Sequence, residues 1–300
     1  MRIRCAVAII TLFLSINYAA GQSATGAAGP TVNIPFFANL HDSPVAVIKP
    51  ADVAVLDNHK PPLGVLTIKN RAEAPLALGL VIDTSNSERF NRIYLPAVRS
   101  ISELLEQTLK RPDDKVFVEK FDKSPAATEF MKAQELAQFK TDLTPRGASA
   151  LFDAVRYACD QRMNSAPANS FRVLILLSDG GDNMSNTPLQ DAIASAQRTG
   201  TVIFAVATGA SSMSEPGNRG NRILNDFAEK TGGMAFLDVN PKNLPKILNA
   251  IEKQIDNMHL LSYVPADPGR NDQYHSVKLH PISNGKLKFR APAGYYLKTE

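Results

Sequence analysis

Asp83, Ser85 and Ser87 stand at alternate positions in Asp83-Thr84-Ser85-Asn86-Ser87, directly after the apolar run Leu76-Ala77-Leu78-Gly79-Leu80-Val81-Ile82. One carboxylate and two hydroxyls this close together suit a hard cation better than a core. A second apolar run, Val173-Leu174-Ile175-Leu176-Leu177, also leads into an acid, in Ser178-Asp179-Gly180-Gly181. A third segment, Pro145-Arg146-Gly147-Ala148-Ser149, precedes a helical pattern and offers one more hydroxyl. Two carboxylates and three hydroxyls form an all-oxygen set, which favours Mg²⁺ over zinc or copper. The hydroxyls are neutral. If one Asp reached the ion only through water, the ion would stay electropositive at an open position, and an incoming carboxylate would complete its shell.

Such a set assembles only if the two strand ends are neighbours. Apolar runs of this length read as buried parallel strands. In an open α/β sheet, ligands bind at the carboxyl ends of strands where the strand order reverses. From residue 76 the pattern alternates as that fold requires. Strands are expected at 76–82, 115–121, 126–131, 173–177, 202–207 and 234–237. Helices are expected at 93–109, 150–163, 189–198, 223–230 and 244–258, with Ser149 a plausible N-cap of the second. This predicts an α/β fold with a doubly wound, mostly parallel six-stranded sheet. The flanks are β-like. Val32, Ile34 and Phe36 alternate, and short strands are expected at 45–48, 53–56 and 65–68, with Asp57-Asn58 as a turn. Residues 259–264, 274–279 and 286–289 follow the last helix, with Asn284-Gly285 as a hairpin turn. The two flanks are expected to meet in one small antiparallel β module.

The resulting organisation is a signal peptide at 1–21, a linker at 22–30, an N-terminal β segment at 31–70, the α/β domain at 71–258 and a C-terminal β segment at 259–300. The leader reading rests on Arg2 and Arg4, a short apolar run from Cys5 to Ile16, and the small residues Ala19-Ala20-Gly21. It implies a secreted or periplasmic protein with no membrane span after cleavage. Cleavage would leave Cys159 as the sole cysteine and lower the formal charge of +4 by two. Cys159 lies in helical apolar periodicity and reads as an inert core residue. With 300 residues, 44% hydrophobic and 21% charged, the chain is long enough and apolar enough for one sizeable core. No basic block is interleaved with aromatics, so nucleic acid is not expected as a partner.

The three loops resemble those of von Willebrand factor type A domains. Asp83-Thr84-Ser85-Asn86-Ser87 matches the D-x-S-x-S motif, Gly147-Ala148-Ser149-Ala150-Leu151 stands where the family has G-G-T-x-L, and Ser178-Asp179-Gly180 where it has T-D-G. In that family these loops form a metal-ion-dependent adhesion site. The resemblance implies that Asp83, Ser85 and Ser87 are metal ligands, that Ser149 replaces the threonine, and that Asp179 acts mainly through water. Ser149 keeps the hydroxyl but lacks the methyl that would fix its rotamer. Asn86 stands where glycine is common, and asparagine tolerates left-handed backbone. The flanking segments Pro50-Ala51-Asp52-Val53-Ala54-Val55-Leu56-Asp57 and Ala293-Gly294-Tyr295-Tyr296 resemble the bacterial subgroup of VWFA-related acidobacterial-domain proteins.

The implied function is binding of Mg²⁺, or Mn²⁺, and through it of a protein partner offering an acidic side chain. Arg89, Arg146, Arg219 and Arg222 are expected on loops at the same edge, as a rim attracting such a partner; each singly reads more readily as solvated rim charge. Residues 211–221 read as a long polar loop. The alternative function is a metal-free structural or assembly component of the cell envelope; a hydrolase with a metal-bound water ranks third. An enzyme is not expected. His41, His59, His259, His275 and His280 all lie in the flanks, so the α/β unit offers no histidine base to a nucleophile.

Overall fold

The structure is a computed structural model that describes residues 30–136, 141–167, 169–209, 215–282 and 285–298. The expected leader, the linker up to residue 29, Asn284 of the hairpin turn and residues 210–214 of the polar loop lie outside the described residues.

The chain opens with β1 (Val32–Leu40), β2 (Ser43–Pro44), β3 (Val53–Asp57) and β4 (Leu63–Asn70). No strand forms over 45–48, between Pro44 and the helical turn that starts at Pro50. The α/β unit runs through β5 (Leu76–Asp83), α1 (Tyr94–Thr108), β6 (Lys115–Phe121), β7 (Pro125–Ala127), α2 (Ala133–Leu136), α3 (Leu151–Tyr157), β8 (Phe171–Ser178), α4 (Leu189–Thr199), β9 (Thr201–Ala207), α5 (Glu215–Lys230), β10 (Ala235–Phe236) and α6 (Leu244–Asp256). The chain then returns to β structure in β11 (Met258–Val264), β12 (Tyr274–Pro281), β13 (Leu287–Arg290) and β14 (Gly294–Tyr296).

The central sheet has the order β10-β9-β8-β5-β6-β7, and only the β6–β7 pair is antiparallel. This is the doubly wound sheet that the alternation predicts. Every residue of β5 and β9 is buried, because helices cover both faces. Leu104, Leu105, Leu244 and Ile251 of α1 and α6 pack on one face. Leu151, Val155, Ala192, Leu224 and Phe227 of α3, α4 and α5 pack on the other. The strand order reverses between β5 and β8, which pair in register with Ile82 opposite Leu177. Asp83 and Ser178 therefore leave the sheet side by side.

The helix expected over 150–163 is shorter. Regular α3 ends at Tyr157 and continues as a π turn over Ala158–Arg162 and a 3-10 turn over Met163–Ser165. The wider turn keeps Ala158, Cys159 and Met163 fully buried.

The flanks meet in an antiparallel β module, as expected, and it is built from two sheets. One has the order β13-β1-β11-β4 with β2 beside β1; the other has β14-β12-β3. Strands from the two flanks alternate along β13-β1-β11-β4, and in the second sheet β12 joins β14 of its own flank to β3 of the other. Val32, Phe36, Val53, Val55, Leu261, Tyr263 and Tyr295 share the core between them. Asp57 closes that core. It was expected in a turn, yet it is 4% exposed at the end of β3, and the turn falls on Asn58 and His59, which have positive φ. Its Oδ2 accepts hydrogen bonds from the Tyr263 hydroxyl at 3.0 Å and the Tyr295 hydroxyl at 2.7 Å, while Oδ1 lies 2.7 Å from His275 Nδ1. Tyr263 belongs to the first sheet and the other three residues to the second, so one carboxylate ties the sheets together. The module is also fixed to the α/β unit: Arg290 donates to Gln254 Oε1 of α6 at 2.8 Å, and Arg198 of α4 pairs with Asp272 at 2.6 Å. Among the described residues, no helix is long and apolar enough to cross a membrane.

Candidate metal centre

Asp83 is fully buried at the end of β5. Its Oδ1 accepts the Ser85 backbone N–H at 2.8 Å, a turn that folds the loop back over the strand end. Its Oδ2 accepts the Ser178 hydroxyl at 2.7 Å and lies 3.5 Å from Ser149 Oγ. The Ser85 and Ser87 hydroxyls are 3.1 Å apart. Thr84, between the acid and the first serine, points away and donates to the Phe121 carbonyl at 2.9 Å. Asn86 starts a 3-10 turn over Asn86–Phe90 and has no positive φ, so its tolerance of left-handed backbone is not used.

Ser149 does not cap α3. Its hydroxyl donates to the Gly181 carbonyl at 2.7 Å, and its N–H donates to Asn183 Oδ1 at 2.9 Å. The first N–H groups of α3 are satisfied from elsewhere: Phe152 donates to Asp182 Oδ2 at 3.0 Å and Asp153 to Ser185 Oγ at 3.0 Å. That frees Ser149 to stand at the strand ends. Asp179 is half-buried, and its Oδ1 accepts the Gly181 N–H at 2.8 Å.

The structure thus gathers Asp83, Ser85, Ser87, Ser149 and Asp179 at one edge and adds an acid that the sequence reading missed. Glu88 is 1% exposed. The 3-10 turn carries it back into the site, where Oε1 accepts the Asp179 N–H at 3.1 Å and the Thr208 hydroxyl at 2.6 Å, and Oε2 accepts Asn91 Nδ2 at 2.9 Å. Carboxylate oxygens of Asp83, Glu88 and Asp179 lie within 4.8 Å of one another. Nothing in the spacing of the motif singles out Glu88; its place one residue after Ser87 is the only signal.

None of the ion pairs among the described residues involves these three acids. For the two buried acids, Asp83 and Glu88, the charge is therefore expensive, and it shows in their acidity. Burial pushes the Asp83 carboxyl up to about 6, against hydrogen bonds from Ser85 and Ser178 that pull it down. Burial, followed by the charge of Asp83, pushes Glu88 up to about 8. Burial and then Glu88 also raise the Tyr94 hydroxyl. An oxygen-only donor set with surplus negative charge and no cationic side chain against it fits a hard divalent cation.

The expected arginine rim divides. Arg89 donates from Nε to the Pro145 carbonyl at 2.8 Å, and Arg146 pairs with Asp142 at 3.2 Å. Arg219 and Arg222 are not on a loop. They lie on α5, which begins at Glu215 because Ile223, Leu224 and Phe227 give the stretch a helical apolar face and a proline is tolerated in a first turn. The helix sits directly on the Asp179 loop. Gly180 has φ +78°, and a Cβ on Gly220 would lie 2.2 Å from the Asp179 carbonyl oxygen. Gly220→Ala is therefore expected to cost about 1–3 kcal/mol, since backbone rather than a flexible side chain must move. A urea midpoint equal to that of wild type would show that the contact yields freely.

Residues 78–250 match the von Willebrand factor type A domain family. No curated protein matches the chain. Among solved structures, a von Willebrand factor type A protein from Catenulispora acidiphila aligns at TM-score 0.51 and 13% identity, over 92% of this chain and 76% of that one. An aerotolerance-related membrane protein from Bacteroides fragilis aligns at TM-score 0.47 and 17% identity, over 60% and 98%. Proximal thread matrix protein 1 from the mussel byssus, with a zinc-occupied MIDAS motif, aligns at 0.49 and 19%, over 65% and 49%. At 13% identity the likeness to the Catenulispora protein is one of fold.

Proposed function

This chain belongs to the von Willebrand factor type A family, and from that premise we propose that it is an exported protein that binds a divalent cation and, through it, a protein partner. Asp83, Ser85, Ser87 and Ser149 would hold Mg²⁺ or Mn²⁺, with Asp179 acting through water. The observation that carries this reading is the group of three carboxylates within 4.8 Å with no ion-paired cationic side chain among the described residues. The cation supplies an electrophilic position that a partner's carboxylate can fill. The residues of the chain do the rest: the Ser178 hydroxyl and Ser85 N–H orient Asp83, and Glu88 holds the Asp179 turn against the first loop. Export rests on the leader read at residues 1–21. The domain is read as a binding module and not a catalyst, since the α/β unit carries no histidine and no nucleophile–base pair was found in the sequence.

The metal-free alternative would have protons, not a cation, neutralise the acids, and pH separates the two. Both folded-state values lie above the ordinary ones, 3.8 for Asp83 and 4.5 for Glu88. Without cation the folded chain then binds more protons than the unfolded chain, and stability falls as pH rises through this range toward 8. A cation that replaces those protons reverses the loss. Calorimetric titration with Mg²⁺ or Mn²⁺ is therefore expected to give one site whose affinity climbs from pH 6 to about 8 and then levels. Exposed carboxylates would give a flat profile above about pH 5.5. No binding at pH 8 would defeat the cation reading, and capture of partners from the native envelope with and without chelator tests its second half.

A further inference from the structure

Three carboxylates lie within 4.8 Å of one another at the cation site, so a partner's carboxylate gains from further positive charge beside it. That positive charge stands next door. Arg219 and Arg222 are exposed, three residues apart on one face of α5, and neither is hydrogen-bonded or ion-paired among the described residues. With Gly180, Gly181 and Ile223 they line a groove of about 430 Å³ that starts at the residue after Asp179. The acid in this groove, Asp182, is already engaged by the Phe152 N–H and the Ser185 hydroxyl. The close contact of Gly220 with the Asp179 carbonyl fixes the helix, and so both arginines, against the metal loop.

From this juxtaposition we infer that the groove is a second anion subsite, and that the partner is an acidic segment presenting two carboxylates, one to the cation and one to Arg219 and Arg222. The inference rests on the cation reading above and adds the class of partner. Guanidinium forks suit carboxylate and phosphate alike. The segment is taken as acidic peptide because one strand can deliver two side chains to one face at a spacing of about 7 Å.

The test uses capped peptides with the wild-type chain and an Arg219→Ala/Arg222→Ala variant, in Mg²⁺ and in chelator, followed by NMR titration. The probes are Gly-Asp-Gly-Asp-Gly, the single-acid Gly-Asp-Gly-Ser-Gly, and a version whose second acid is phosphoserine. In Mg²⁺ the two-aspartate peptide is expected to bind the wild type about tenfold more tightly than the single-acid peptide, and the variant is expected to lose that preference. The single-acid affinity is expected to fall less than the two-aspartate affinity between the two proteins, so the ratio of the two affinities is the readout. Equal affinity for both peptides in the wild type, or an undiminished preference in the variant, overturns the subsite while leaving the cation reading intact. Arginine-dependent binding that persists fully in chelator overturns the cation reading and leaves the subsite. Binding of the phosphoserine peptide alone reassigns the groove to phosphate and overturns the two-carboxylate segment.

Discussion

Titrated with Mg²⁺ or Mn²⁺ at pH 8, an Asp83→Asn protein is expected to bind at least ~100-fold more weakly than wild type. Groups that only orient a ligand are worth about 10–100-fold in metal affinity, and Asp83 is both a charge and the residue on which the loops converge. Ser85, Ser149 and Ser178 all address its two oxygens. Asparagine keeps the shape and one carbonyl oxygen, so the variant should fold. It should even gain stability in the absence of cation, because one charge is removed from a buried group with no counter-ion. The paired readout matters: weaker binding with an intact or raised melting temperature identifies lost coordination, whereas weaker binding with a collapsed one identifies misfolding. An isotherm matching that of wild type would end the assignment of Asp83.

The second large effect falls far from this site. Asp57→Ala is expected to cost about 3–5 kcal/mol in urea unfolding, because it strands a buried imidazole and two buried phenols at once. Tyr295→Phe, which removes one of these donors and leaves the carboxylate two partners, should cost about 1 kcal/mol. The flank strands share their sheets and are pinned to α4 and α6, so the loss should lower a single transition for the whole chain. A destabilisation below about 1 kcal/mol for Asp57→Ala would show that the network relaxes around the gap.

Much of this was legible in the residues, for identifiable reasons. The central strands are continuous apolar runs, and a run buried on both faces leaves little choice of environment or direction. Asp83, Ser149 and Asp179 were found because each follows or precedes such an element. Glu88 was not, because it enters through a one-turn 3-10 segment whose residues carry no periodic signal. The stretch holding Arg219 and Arg222 reads as a loop because it is polar and contains Gly217 and Gly220, both poor helix formers; Gly220 is there for a backbone contact that only tertiary structure reveals. Asp57 looked like a turn residue since Asn58 follows it. Its burial depends on Tyr263, His275 and Tyr295, all contributed by the other end of the chain.

That last dependence governs how the polypeptide must come together in time. In the sheet β13-β1-β11-β4, strand β1 has both of its long neighbours in the C-terminal flank, with Val32 opposite Tyr263 and Phe37 opposite Arg290. Strand β1 is therefore left without its main partners until synthesis has passed β11 and then β13. Contacts this distant in sequence make closure slow. A chain that stops short of β11 would present β1 and half of a core as an open edge, the kind of surface that chaperones hold and proteases cut.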